Sequence, residues 1–506
     1  FFVSYYNSQQ VMEAIREVIN TFIHDFIWIS EESGELMYLI YNVQQTESLR
    51  GYPYNQWLAD EKGRELEKWM CLIYNIYIKP LTEVVNKVNG ISNLIKNLSN
   101  AGIPIKDKEA NNLKPINNIG REIRTIFENT VKTFALNKET HPEKKTTQVH
   151  SPYFPMRNGW LEWIEEDGKY TGEYRFVTDN RHRYMERGTN VLYREDYDKN
   201  CKAYQDVSRM IEQIYPSEEG RNYCMSLFAS VLYGIGTKDQ LLTMYGTGSD
   251  GKTTIINALQ AMLGAEGFSK NIPTRENGID ITLNLHKGLA SNIKPDILLT
   301  SNNKNGHDEG GKAEMIGVRL CNAQEPDTRL SGGMLKYNGS CVKEVTSGSA
   351  VPVRRIFSKN TNSYINTFIT FQTNTKPGTN DTTTGFKRRH TMYSHQAKFQ
   401  TGEETSFKYM KYSYKADPIL AKNIIENPLY WEALFQYLLP YAQNNLRNGH
   451  INLSSIEKPE EVKRILEDMY ENNVSPCTQM LNSAIVEIED DEKLCILNVK
   501  RLIEAI

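Results

Sequence analysis

The stretch "LLTMYGTGSDGKTTIINALQAMLG", residues 241–264, limits what this chain can fold into more than any other. Leu241 to Tyr245 read as a short apolar strand, a loop with three glycines follows, and Lys252-Thr253-Thr254 open an amphipathic helix. The segment from Gly246 through Thr247, Gly248, Ser249, Asp250 and Gly251 to Lys252 and Thr253 fits G-x-x-x-x-G-K-[ST]. Glycine lets the backbone curl so that successive N–H groups and the helix N-terminus point at one anion. Lys252 then supplies positive charge to the β- and γ-phosphates of a nucleoside triphosphate, and Thr253 a hydroxyl to Mg²⁺. The alternative is a chance glycine turn before a helix. The strand and the helix, each where the motif requires it, weigh against that alternative.

A phosphate loop does not name a reaction, because kinases, GTPases and motor ATPases all use it. Residues 315–327, "MIGVRLCNAQEPD", read as a strand ending in Glu325 at a proline turn. A carboxylate there could orient an attacking water and support the Mg²⁺ shell, or be an ordinary surface acid. Residues 367–377, "TFITFQTNTKP", alternate as a strand ending in Asn374. That amide either reaches the γ-phosphate or forms a turn before Pro377. The pair Arg388 and Arg389 follows. One of them could complete a neighbouring subunit's site as an arginine finger, although taken alone such a charge pair is usually a solvated face.

At 506 residues the chain is long enough for roughly two to four domains. With 59 Lys+Arg against 62 Asp+Glu, any nucleic-acid contact must come from a local basic surface. The seven cysteines are scattered, never spaced C-x-x-C, and do not pair with the histidines at zinc intervals, so a reduced intracellular protein without structural zinc is expected. No apolar run reaches membrane-spanning length and no signal-peptide pattern is present, so a soluble chain with no membrane partner is expected. Because the chain opens "FFVSYY" without methionine, an upstream part is expected as well.

Helical stripes recur at Val11, Ile15, Val18, Phe22 and Phe26, from Leu81 to Leu98, and around Ile123, Phe127, Val131 and Phe134. Residues 1–150 are therefore predicted to form a mostly helical domain. In 151–215, "PYFPMRNGWLEWIEEDGKY" reads as a hairpin turning at Asn158-Gly159, ahead of a helical segment. An α/β ATPase core with a mainly parallel sheet is predicted over 216–400, and a helical domain over 401–506, where Trp431, Leu434, Leu438 and Tyr441 share a face. Two polar loops, 301–313 and 376–385, are expected to face solvent.

The order of these elements resembles the superfamily 3 helicases, in particular the primase–helicases of large DNA viruses, of the poxvirus and asfarvirus type. The resemblance rests on the phosphate loop, the strand ending in Glu325, a Lys/Gly segment, the strand ending in Asn374-x-x-Pro, and Arg-Arg. It extends to "PYFPMRNGWLEW" before the core and "YWEALFQYLLPYAQNNLRNG" after it, covering residues 150–480. It implies a P-loop, AAA+-like core in which Gly246 to Thr254 bind ATP and Thr253 and Glu325 support Mg²⁺. Glu325 would then be the catalytic acid, Asn374 the sensor and Arg388 the finger, with Arg389 as second choice. The segment "VKEVTSGSAVPVRRIFSKN" aligns with the family's third motif and its hairpin, making Lys343, Arg354, Arg355 and Lys359 candidate DNA contacts, although these residues also read as an exposed basic strand. Ser347 and Ser349 stand where relatives often carry Gly and Asp. Gln324 precedes Glu325 in place of a second acid, which leaves Asp327 to assist. The resemblance further implies a homo-hexameric ring moving on single-stranded or forked DNA at viral replication sites in the host cytoplasm, with other replication proteins as partners. The rival is an AAA+-type remodelling or scaffold ATPase that does not grip DNA.

Overall fold

A computed structural model describes residues 27–29, 36–39, 57–59, 100, 151–178, 187–268, 271–276, 279–283, 285, 287–300, 309–324, 335–353, 361–401 and 412–471. Within the first 150 residues the described strands β1 (Ile27–Ile29), β2 (Leu36–Leu39) and β3 (Trp57–Ala59) form an antiparallel sheet in that order. Ile27, the residue after Phe26 of the first predicted stripe, opens β1, and the predicted stripes themselves lie outside the described residues. Strands of three or four residues carry too little alternation to register as a period.

Residues 151–178 form a meander of β4 (Tyr153–Met156), β5 (Gly159–Glu166) and β6 (Lys169–Val177). The predicted hairpin is present, but it turns one residue earlier than expected: Arg157 and Asn158 join Met156 to its partner Gly159, which already belongs to β5. A second turn follows at Asp167 (φ 50°) and Gly168 (φ 75°), the left-handed pair that suits the twist of a two-residue hairpin loop. Helices α1 (Lys202–Ile214) and α2 (Glu218–Ala229) come next. α1 buries Ala203, Val207, Met210, Ile211 and Ile214 at helical spacing, while Ser217 caps α2 by accepting from Gly220 N at 3.2 Å.

Strand β7 (Leu241–Tyr245) then leads into α3 (Lys252–Met262). Next come the hairpin β8 (Ile272–Glu276) and β9 (Ile279–Leu283), β10 (Ala290–Ile293), the short helix α4 (Glu309–Ala313) and β11 (Leu320–Gln324). β12 (Lys336–Tyr337) and α5 (Gly339–Val345) precede β13 (Ala350–Val353) and β14 (Thr361–Tyr364), an antiparallel pair. β15 (Phe368–Thr373), β16 (Gly378–Thr379), α6 (Thr384–Arg389), β17 (His390–Ser394), β18 (Lys398–Gln400) and β19 (Ser413–Lys415) complete the core region. Five of these strands make one sheet in the order β10-β11-β15-β7-β17, every neighbouring pair parallel, in agreement with the predicted mainly parallel sheet. All six residues of β15 are buried, as both faces of such a sheet must be covered.

Helices α7 (Pro418–Glu426), α8 (Pro428–Arg447) and α9 (Glu460–Glu471) follow. α8 packs on α1, α2, α3 and β6, burying Trp431, Leu434 and Leu438 as the periodicity predicts, and α9 lies on β17. The two polar loops, expected to face solvent, depart from that only in part: 301–308 lie outside the described residues, and Asn380 and Thr382 to Thr384 are exposed. Lys312 is buried in an ion pair with Glu344 (2.9 Å), and Pro377, Gly378 and Thr379 are buried where β16 pairs with β12.

His390 lies wholly inside, its ring stacked on Phe386 at 5.3 Å and its Nε2 3.2 Å from Thr243 Oγ1. Burial, helped by the Lys458 charge, lowers its pKa to about 3. The unfolded chain binds this proton below about pH 6.5 and the folded chain only near 3, so the stability His390 contributes is complete above that window and is lost as pH falls through it. Replacing His390 with Phe should flatten the pH dependence of urea-unfolding stability between pH 4 and 6 by about 1.4 kcal/mol per pH unit. An unchanged slope would contradict the assignment.

Candidate functional site

The loop after β7 sits at the carboxyl end of the sheet, between the ends of both neighbouring strands. Gly246 N donates to Thr373 O of β15 at 3.3 Å, and His395 N, following β17, donates to Tyr245 O at 2.8 Å. Beyond β17, Phe399 N donates to Ser249 O and Lys398 Nζ to Gly248 O, each at 2.7 Å. Gly248 (φ 86°), Ser249 (φ 53°) and Gly251 (φ 84°) give the loop its curl. At Gly251 a side chain would also strike Ile214, so glycine is required there on two counts. Thr247, Ser249 and Thr253 are exposed at the mouth of the loop and Thr254 is half-buried.

Three of the predicted residues converge. Lys252 Nζ, although only 5 % exposed, lies 2.5 Å from Asp250 Oδ2 and 3.2 Å from Asn374 Oδ1. The Asp250 carboxylate also accepts from the backbone N–H groups of Gly248 (3.2 Å) and Lys252 (3.4 Å). Burial pushes its carboxyl pKa up, but the Lys252 ammonium outweighs this and holds it below the usual carboxylate range. The loop amides and the lysine thus already enclose an oxyanion, and that oxyanion belongs to the chain itself. Thr253 Oγ1 donates to Gln372 Oε1 at 3.1 Å. His395 is buried beside Tyr215 and Tyr393, both ring nitrogens without a partner among the described residues, and burial lowers its pKa to about 3.

Other predicted residues stand apart. His390 pairs with Leu241 at the start of β7, whereas the loop follows Tyr245 at its end. Arg388, exposed at the end of α6, is therefore at the opposite end of the strands from its own chain's loop, a strand length of about 13 Å away. Arg389 is half-buried and donates to Gly385 O at 3.2 Å. Lys343 is paired with Asp381 at 2.8 Å. Glu325, Asp327, Arg354, Arg355 and Lys359 lie outside the described residues; the strands β13 and β14 flank 354–360. Gln372 and Asn322 were missed by sequence reasoning, although amides inside otherwise apolar strands were a readable signal.

Among the described residues no group of three or more His, Cys, Asp or Glu is placed to hold a metal ion, and no helix is long and apolar enough to cross a membrane. No protein-family model matches the chain, and no curated protein matches it. Among solved structures, an apo C-terminal region of NrS-1 is similar at 10 % identity and a TM-score of 0.34, over 65 % of this chain and 74 % of that one. An A form apo structure of the same region is similar at 9 % identity and a TM-score of 0.33, over 70 % and 81 %.

Proposed function

We propose that the chain is an ATP-driven DNA helicase of the superfamily 3 kind, the helicase part of a larger primase–helicase in viral genome replication, working as a homo-hexameric ring. One observation carries the reading: Lys252, at the start of the helix after a glycine loop, meets Asn374, at the end of the adjacent parallel strand, at 3.2 Å. A lysine and an amide aimed at one point between strand ends, over backbone donors already receiving an oxyanion, suit a triphosphate terminus. The sheet order, with the loop strand between the fourth and fifth core strands, supports an AAA+-like core.

The residues present fit Mg²⁺–ATP. The exposed Thr253 hydroxyl would hold the cation, Gly248 and Lys252 N–H groups the phosphate oxygens, and Lys252 Nζ the terminal phosphates. When bound, Mg²⁺ supplies charge that neutralises the phosphate oxygens. Lys252 adds a fixed positive charge, and the Asn374 amide is placed to orient a water or hold the γ-phosphate. The pairing of β13 with β14 around the basic segment 354–360 favours DNA over the remodelling reading, because phosphate contacts without sequence content suit a motor. ATP-dependent separation of a forked duplex tests the proposal. Hydrolysis that neither DNA nor the Arg355→Ala and Lys359→Ala changes affect would favour remodelling.

Asp250 makes a sharper expectation. Nucleotide must displace its carboxylate from the loop donors and from Lys252, and its charge repels phosphate. Asp250→Asn is therefore expected to tighten ATP binding about tenfold, near 1.4 kcal/mol, read by equilibrium titration with a fluorescent ATP analogue. Weaker binding in this variant would show that Asp250 assists the nucleotide instead of preceding it.

A further inference from the structure

A row of amides runs beneath the loop. Asn292 of β10, Asn322 of β11 and Thr370 of β15 stand side by side in register, and Gln372 stands two residues further along β15 towards the loop. Thr253 and Gln260, two turns apart on α3, lie over the two ends of this row. Gln260, Asn322, Thr370 and Gln372 are at most 2 % exposed. Asn292, on the edge strand β10, is exposed, but strands buried on both faces normally carry apolar side chains, so Asn322, Thr370 and Gln372 need a reason beyond packing.

Its hydrogen bonds have one consistent direction. Asn292 Oδ1 accepts from Gln260 Nε2 (2.7 Å) and Asn322 Nδ2 (3.3 Å). Asn322 Oδ1 accepts from Gln372 Nε2 (3.0 Å) and Thr370 Oγ1 (3.1 Å). The amide nitrogen of Gln372 is thereby committed, and its oxygen is left facing Thr253 Oγ1 at 3.1 Å. Turning over one amide alone would set nitrogen against nitrogen or oxygen against oxygen, so the four amides keep or reverse their direction together. A threonine hydroxyl has a single proton. Given to Gln372, it leaves both lone pairs of Thr253 Oγ1 available to a cation.

We propose that Gln372, its amide turned in concert with those of Asn322 and Asn292, is a positioning residue that takes the hydroxyl proton of Thr253 and so presents that oxygen to the cation of a metal–nucleotide complex. The proposal rests on the reading of the loop as an Mg²⁺–ATP site and assigns to an uncharged amide the outer support that a metal-ligating hydroxyl needs.

Equilibrium binding of a fluorescent ATP analogue, with Mg²⁺ and with excess chelator, tests it without recourse to turnover. In Gln372→Met the ratio of chelator to Mg²⁺ dissociation constants should fall about tenfold, while the metal-free constant stays near wild type. In a Thr253→Val background the same change should have no further effect on the ratio, because the residue acts through that hydroxyl. Gln372→Glu keeps an acceptor towards Thr253 and, with Asn322, Asn292 and Gln260 turned over together so that Asn322 Nδ2 donates to its second oxygen, should retain the Mg²⁺ response; it also serves where the methionine variant does not fold. Parallel weakening with and without Mg²⁺, a further drop in the Thr253→Val background, or loss of the response in Gln372→Glu would overturn the proposal. A wild-type chain that binds no nucleotide would instead overturn the ATP reading on which it rests.

Discussion

Lys252→Ala should lower ATP hydrolysis by about 10³-fold or more, because the ammonium lies where charge must be neutralised in a site with little water to replace it. Lys252 is buried, and so is Asp250, at 3 % exposure. Removing the lysine strands a buried carboxylate and should also cost about 3 kcal/mol of stability, by the same desolvation that makes such pairs hard to break singly. Adding Asp250→Asn removes the stranded charge. The double variant should therefore recover most of its melting temperature and none of its turnover. Phosphate release measured beside thermal unfolding separates the two effects. Turnover near wild type in Lys252→Ala, or its recovery in the double variant, would refute the phosphate-loop assignment.

Arg388→Ala should be equally inactive, and for a reason outside its own chain. Arg388 is carried at the end of α6, before the start of β17, and the loop at the end of β7, so the two do not share a site within one chain. In a ring, Arg388 would reach the neighbour's nucleotide, and a finger supplied in this way contributes about 10³-fold or more. Mixing Lys252→Ala and Arg388→Ala subunits under exchange then restores function at some interfaces. An intact lysine on one side and an intact arginine on the other each occur half the time, so about a quarter of interfaces should be complete. Activity should return in that proportion. Background turnover despite confirmed exchange would contradict an in-trans role for Arg388, and recovery with Arg389→Ala instead would transfer the role to Arg389.

What the sequence made legible was local. The strand, loop and helix of 241–264 follow from glycine spacing and apolar period, and the parallel sheet from the strands it predicts around them. Asn374 was expected only to reach the γ-phosphate or a water; its distance to Lys252 depends on β15 pairing with β7 across more than a hundred residues, which no local pattern encodes. Asp250 was read only as one of the loop positions that bind ATP, because a motif that tolerates any residue there does not say where a side chain folds back. The amide row needed three strands in register before Gln372 could be oriented, and its members are dispersed from Asn292 to Gln372. The turn at Asp167-Gly168 was readable as an Asp-Gly hairpin signal and was passed over. Lys312 shows the opposite failure: a Gly- and Lys-rich stretch looks solvated, yet its charge is buried because Glu344 pairs with it.

The central claim is that nucleotide held by this loop powers movement on DNA. Its most direct test is the rate of ATP hydrolysis with and without single-stranded DNA, at low and at raised salt. The account predicts that DNA raises the rate, that half-maximal stimulation needs more DNA as salt increases, with a log–log slope of about one per phosphate contact, and that Lys252→Ala removes both basal and stimulated turnover. A basal rate that depends on Lys252 and stays the same with DNA at every salt concentration would contradict it.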